Sequence, residues 1–393
     1  MKLALLGDCD ELRYWLPLLL AQSRHSIVVA ADISTETAKL LGSCDVVDRG
    51  ERFFEVGSFD AVLLAGNKDR SLQAAKQLAT QGVPVIVMPH PHQGTAFLYE
   101  MSLIRDDNHV ALFAFFPLRR HPLVTRFREC LTGDEFGTPI QWEVERSEQS
   151  DADKARISLQ ICDRRMLSDV DLLRQLSGNY SRVTAIRSGF DGTSVAAETV
   201  SLAGESLPEA IWTIRADSGP HWKLIVRGDG AELTLSGDSA CGLDSLTVGN
   251  KRIECTREDV IESLAEELDE IEAGLERTVP GHEWAELIRV SETVEATHQS
   301  TRRRRTIDMY FELTSERNQF KTQMTALGCG ILMLTLFLVV VVMLFGQVFD
   351  PGPTVMKVAR ILAFTPLFLF LAMQALIVLA RPSTDEQKVS NGL

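Results

Sequence analysis

Lys2-Leu3-Ala4-Leu5-Leu6-Gly7-Asp8-Cys9-Asp10-Glu11-Leu12 sets the reading of the whole chain. Leu3 to Leu6 are an unbroken apolar run, as a strand buried on both faces requires, and Gly7 ends it. Leu12, Trp15, Leu16 and Leu19 then recur at helical spacing, so a helix begins near Glu11. Strand, glycine and helix in this order open a dinucleotide-binding fold. Of the three glycines in G-x-G-x-x-G, only Gly7 is present. Asp8, Asp10 and Glu11 add negative charge where a pyrophosphate would lie. Two readings stay open: a nucleotide site reduced to one glycine, or a helix start capped by acidic residues with no ligand.

Outward from this stretch, strand and helix alternate. Ile27–Ala31, Ala61–Ala65, Val83–Met88 and Val110–Phe116 are short apolar runs. Helical patterns over 35–41, 69–80 and 95–105 lie between them. This predicts an α/β fold, with a Rossmann-type parallel sheet domain over residues 1–117. Beyond 118, helical patterns at 123–131 and 163–176 flank a series of strand-like segments from Ile140 to Leu235, punctuated by Gly, Asp and Ser. An α+β domain with an open, mostly antiparallel sheet is expected over 118–309, closed by helices at 257–276 and 283–300.

The chain has 393 residues and a net charge of −14. That acidity argues against a nucleic-acid partner, since phosphate contacts need a basic surface. Seven cysteines are scattered without a C-x-x-C pair, which predicts reduced thiols, no disulfide framework and no metal site. Ala326–Phe345 and Ile361–Ala380 each run for about 20 residues without a charge, long enough to cross ~30 Å of hydrocarbon. Two transmembrane helices are therefore expected over 326–348 and 356–380, after a polar helical linker at 310–325 and before a polar tail at 381–393. The lipid bilayer would then be a partner. The implied placement is a multi-pass, bacterial-type inner (plasma) membrane protein with its large N-terminal domain and C-terminus cytoplasmic. Arg302 to Arg305 could add contact with anionic headgroups.

Several spaced motifs resemble the Gfo/Idh/MocA family (glucose–fructose oxidoreductase, inositol dehydrogenase and their relatives) over roughly residues 1 to 309. Asp32 ends the second strand, as does the family's ribose-binding acid. Ala65-Gly66-Asn67 falls at the family's Thr-Pro-Asn, and the stretch from Gly82 to Val87 leads to its Glu-Lys-Pro. Arg119-Arg120-His121-Pro122 resembles R-x-x-P, and Asp169-Val170-Asp171-Leu172-Leu173 resembles D-x-D-L-L. The resemblance implies a Rossmann fold, an NAD(P) cofactor, a sugar- or cyclitol-like substrate and, through the open sheet, a homo-oligomer. It places Gly7, Asp32 and Asn67 at the cofactor. Asp32 favours NAD over NADP, because a carboxylate accepts from a free 2′-hydroxyl and repels a 2′-phosphate.

Three positions depart from the family. The phosphate loop lacks two glycines. Met88-Pro89-His90 replaces Glu-Lys-Pro, so the catalytic lysine is absent. Ser168 stands at the catalytic histidine, with Arg164 one turn earlier. His90, as a general base, and Asp171 are the weak catalytic candidates left. Asp169 and Asp171 also read as partners of Arg164, Arg165 or Arg174 at helical spacing. Enzymatic activity is left open. The two functions expected are a membrane-tethered oxidoreductase and a non-catalytic descendant that binds a metabolite or protein at the membrane.

Overall fold

The computed structural model describes residues 1–309 except 43, 50–51, 54–57, 134–135, 150–154, 218, 238–241 and 276–281. It also describes residues 331, 333–344, 357–359 and 361–365. The chain divides into two compact units, Met1–Phe311 and Glu312–Leu393.

The first unit opens on a six-stranded sheet: β1 (Lys2–Leu6), β2 (Ser26–Ala31), β3 (Asp45–Val47), β4 (Ala61–Leu64), β5 (Val85–Val87) and β6 (Leu112–Ala114). Their order is β3-β2-β1-β4-β5-β6, every pair parallel, which is the doubly wound topology with its switch point between β1 and β4. Helices α1 (Asp10–Ala21), α2 (Thr35–Leu41), α3 (Asp69–Thr80) and α4 (Gly94–Asn108) connect the strands. The edge strand β3 escaped the sequence reading because Asp45 and Val46 are exposed, so no buried apolar run marks it.

The second half begins with α5 (Pro122–Leu131) and β7 (Pro139–Gln149). Then come β8 (Ile157–Ser158), α6 (Leu159–Ser177), β9 (Arg182–Ser188), β10 (Ser194–Val195), β11 (Ala197–Gly204) and β12 (Leu207–Asp217). It continues through β13 (His221–Gly228), β14 (Glu232–Gly237), β15 (Ser245–Val248), β16 (Lys251–Ile253), α7 (Arg257–Leu275), α8 (His282–Arg303) and β17 (Ile307–Asp308). The described strands form a nine-stranded sheet in the order β16-β15-β14-β13-β7-β12-β11-β9-β17, beside the small β8–β10 pair. Within it β7 and β12 run parallel and every other pair is antiparallel. Trp142, Trp212 and Trp222 point from β7, β12 and β13 into a core shared with α5, α6 and α8. The last helices return to the first sheet. Leu264, Leu268 and Ile271 of α7 pack with the apolar stripe of α1, and Trp284 and Leu287 of α8 pack on the opposite face.

In the second unit, residues 333–344 are helical, as are 357–359 and 361–365. Among the described residues no helix is long and apolar enough to cross a membrane. The two transmembrane helices in the expected fold class are corrected accordingly, and with them the multi-pass inner-membrane placement. The rest of spans 326–348 and 356–380, the whole linker 310–325 and the whole tail 381–393 lie outside the described residues.

Candidate functional site

The site lies at the carboxyl ends of the parallel strands, where α/β sheets bind ligands. Gly7 follows β1 with φ +74, and a Cβ there would stand 2.3 Å from the Gly66 Cα. The loops after β1 and β4 therefore touch backbone to backbone. Gly7 N donates to Ala31 O (2.8 Å), and Gly66 N donates to Leu6 O (3.0 Å). Gly7 is needed for this close approach whether or not a nucleotide binds.

The acidic residues of the loop each have a protein partner. Asp8 Oδ2 accepts from Ser34 N (3.0 Å) and Thr37 Oγ1 (2.6 Å) at the start of α2. Burial raises its pKa, but these hydrogen bonds and Arg13 outweigh it and hold the carboxyl below its usual range. Cys9 caps α1, its Sγ accepting from Leu12 N (3.5 Å), and reaches Met88 Sδ at 3.8 Å. Asp10 pairs with Arg164 of α6, and Glu11 lies 3.5 Å from Arg164 Nε and 3.4 Å from Arg165 NH1. For Asp10 too, burial is outweighed, here by Arg164 and then Arg13, and the carboxyl is lowered. Arg165 is held in turn by Glu148 (2.6 Å).

Asp32 adopts φ +57 at the end of β2, and Arg70 Nε stands 3.0 Å from its Oδ1. Asn67, after β4, places its amide 3.4 Å from both His90 Nε2 and His92 Nδ1. His90 is buried. Its Nδ1 accepts from His92 N (3.2 Å), and its Nε2 faces the Asn67 amide nitrogen. Burial first, then the charges of Arg164 and His92, push its pKa down to about 3. Gly7, Asn67 and His90 thus surround the switch point, while Asp32 sits at the adjacent strand end.

On α6, Ser168 lines the cleft, and Asp163 is turned to His298 Nε2 at 2.9 Å. Asp171 is bound by Arg119 on both oxygens, with Arg119 Nε 2.9 Å from Oδ2 and its guanidinium 4.2 Å from the Phe116 ring centre. Burial raises the Asp171 carboxyl and Arg119 opposes that rise. Asp169 faces away into the core, where Arg146, Trp212 and Trp222 bind it. The predicted partners at helical spacing were not the ones chosen, because both carboxylates point off the helix toward other elements.

Glu267 of α7 was missed. It is buried, accepts from Phe116 N (3.3 Å), and burial pushes it up to about 8. Its spacing from Leu264 and Ile271 on the apolar stripe was the available signal. Away from the cleft, His25, Asp269 and Glu272 come together. Arg24 NH1, 2.5 Å from Asp269, already supplies the positive charge there.

The cavity left among Glu11, Trp15, Met88, Arg164, Ser168 and Asp171 is about 50 Å³. Small-molecule sites usually offer ~300 Å³ or more. The position of a dinucleotide's pyrophosphate carries carboxylates already paired with Arg164 and Arg165, so with these ion pairs closed the loop offers a phosphate no free cation from that pair.

No family model and no curated protein matches the sequence. Solved structures do match. A myo-inositol dehydrogenase from Corynebacterium glutamicum ATCC 13032 is 17% identical with a TM-score of 0.58, covering 79% of this chain and 99% of that one. An oxidoreductase from Agrobacterium radiobacter, in complex with NAD+, L-tartaric acid and magnesium, is 16% identical with a TM-score of 0.61, covering 78% and 98%. Levoglucosan dehydrogenase, in complex with NADH and L-sorbose, is 12% identical with a TM-score of 0.60, covering 79% and 99%. The chain has the fold of the Gfo/Idh/MocA-type oxidoreductases.

Proposed function

We propose that the chain is an oxidoreductase-like protein on this scaffold, with a sugar- or cyclitol-like hydroxyl compound as its ligand class. A nicotinamide dinucleotide enters only when an ion-pair latch opens. The observation that carries this reading is the bridge from Asp10 and Glu11 to Arg164 and Arg165, laid across the strand ends where a cofactor would rest. The ligands of the neighbouring structures support the cofactor class, and Asp32 supports NAD over NADP. Arg70, at 3.0 Å from Asp32, offsets part of the repulsion a 2′-phosphate would meet.

A second reading treats the latch as permanent and the protein as a non-catalytic binder. The state of the candidate bases favours it. His90 is buried and neutral with both ring nitrogens in polar contacts, and Ser168 has no base in the register where the family keeps one.

Titration of the full-length chain with NADH and NADPH, followed by nucleotide fluorescence, separates the readings. The wild type should bind NADH more weakly than about 1 mM, and Asp10→Asn/Glu11→Gln/Arg164→Gln should gain about tenfold. Binding by neither form selects the second reading. Micromolar binding by the wild type, weakened by Asp32→Ala, would remove the latch from the account.

A further inference from the structure

A second cavity, of about 330 Å³, lies where α1, the start of α7 and the β15–β16 edge of the large sheet meet. It shares no lining residue with the cleft at the strand ends. Its volume is about twice the ~150 Å³ that accommodates benzene, and within the range of small-molecule sites. Pro17 and Leu18 of α1, Leu243 ahead of β15 and Val260 of α7 make its apolar walls.

Two polar groups in its lining lack partners. His121 is 3% exposed, and its Nδ1 accepts from Leu123 N (3.3 Å) as the cap of α5. That bond places the ring proton on Nε2. Burial lowers the pKa to about 4, so the ring is neutral at pH 7. Among the described residues no acceptor meets Nε2–H, and the ring borders the cavity. A ligand oxygen in the cavity would supply the acceptor that the protein does not. Arg257, in the first turn of α7, also borders the cavity and pairs with no carboxylate among the described residues. Asp259, two residues on, is turned to Thr256 N (2.9 Å), and Thr256 Oγ1 accepts from Asp259 N (3.2 Å). This reciprocal cap leaves Asp259 engaged and Arg257 available.

We propose that this cavity binds a small amphipathic monocarboxylate. Its carboxylate meets His121 Nε2–H and Arg257, and its hydrocarbon part lies against Pro17, Leu18, Leu243 and Val260. An imidazole N–H and a guanidinium beside Pro17, Leu18, Leu243 and Val260 suit an anion with a hydrophobic body.

The test is calorimetric titration of the full-length chain with benzoate, and with benzamide as its uncharged counterpart. Benzoate should bind at least about tenfold tighter than benzamide. Arg257→Gln and His121→Asn should each weaken benzoate about tenfold. Asparagine keeps an acceptor for Leu123 N while withdrawing the donor from the cavity, and Arg257 is exposed, so its variant folds even if the other does not. Weakening in either folded variant supports the site. No binding of benzoate up to about 10 mM, or an affinity unchanged in both variants, overturns it.

Discussion

Asp169→Ala tests the account of the second half most directly. Asp169 is 1% exposed. It takes Arg146 Nε on Oδ2 (2.6 Å) and NH2 on Oδ1 (2.7 Å), with Trp212 Nε1 on Oδ2 (2.7 Å) and Trp222 Nε1 on Oδ1 (3.0 Å). The Arg146 side chain is itself only 3% exposed. Alanine leaves a cation buried without its carboxylate and two indole N–H groups without their acceptor. Breaking one side of a buried pair costs about 3–5 kcal/mol. The orphaned indoles belong to the same loss, so about 4 kcal/mol is expected in total. With a urea m-value of ~3 kcal/mol/M, the midpoint should fall by more than about 1 M. Tryptophan fluorescence draws on this half through Trp142, Trp212 and Trp222, three of the chain's five tryptophans. Arg146→Met combined with Asp169→Leu should recover the part of the loss that comes from the buried cation, since neither charge then remains to be paired, while the two indoles stay without an acceptor. A single Asp169→Ala variant within about 1 kcal/mol of wild type would refute the hub.

Glu267 and Gly7 give two further expectations. Burial raises the folded-state pKa of Glu267 from 4.5 to about 8, so between these values the folded state holds a proton that the unfolded state has lost. Stability should therefore fall as pH rises through that window, by up to about 1.4 kcal/mol per unit from this group. Thermal melts of Glu267→Gln should lose that part of the slope and be the more stable at pH 8. Parallel pH profiles for the two proteins would exclude a buried, protonated Glu267. Gly7→Ala meets both a positive φ and a 2.3 Å approach to the Gly66 Cα, and should cost more than about 2 kcal/mol in chemical denaturation. A neutral effect would show that the two loops do not touch.

Much of the scaffold was legible in the order of residues. Leu3–Leu6, Ile27–Ala31 and Val83–Met88 announce buried strands because a strand covered on both faces must be apolar throughout. The stripe of α1 announces a helix because its period matches one buried face. The glycine of the first turn was legible for the same kind of reason, since its backbone conformation is local. The apolar runs near the C-terminus misled. Length and apolarity license a membrane helix from sequence, but the described helices there are too short to span one.

The chemistry of the site was less accessible. The sequence by itself determined which charges exist: three carboxylates in the first loop and arginines on α6. It also determined the periodicity that turns strands and helices into two sheets. Only the tertiary structure decided which charges meet. Asp10 and Arg164 are 154 residues apart, and Arg146 reaches Asp169 from a neighbouring strand. Ion pairing depends on distances between side chains that the packing of two sheets brings together, and no spacing along the chain encodes those distances. The opening loop therefore records its fold in its residues, and its occupancy by arginines of the second half in the packing alone.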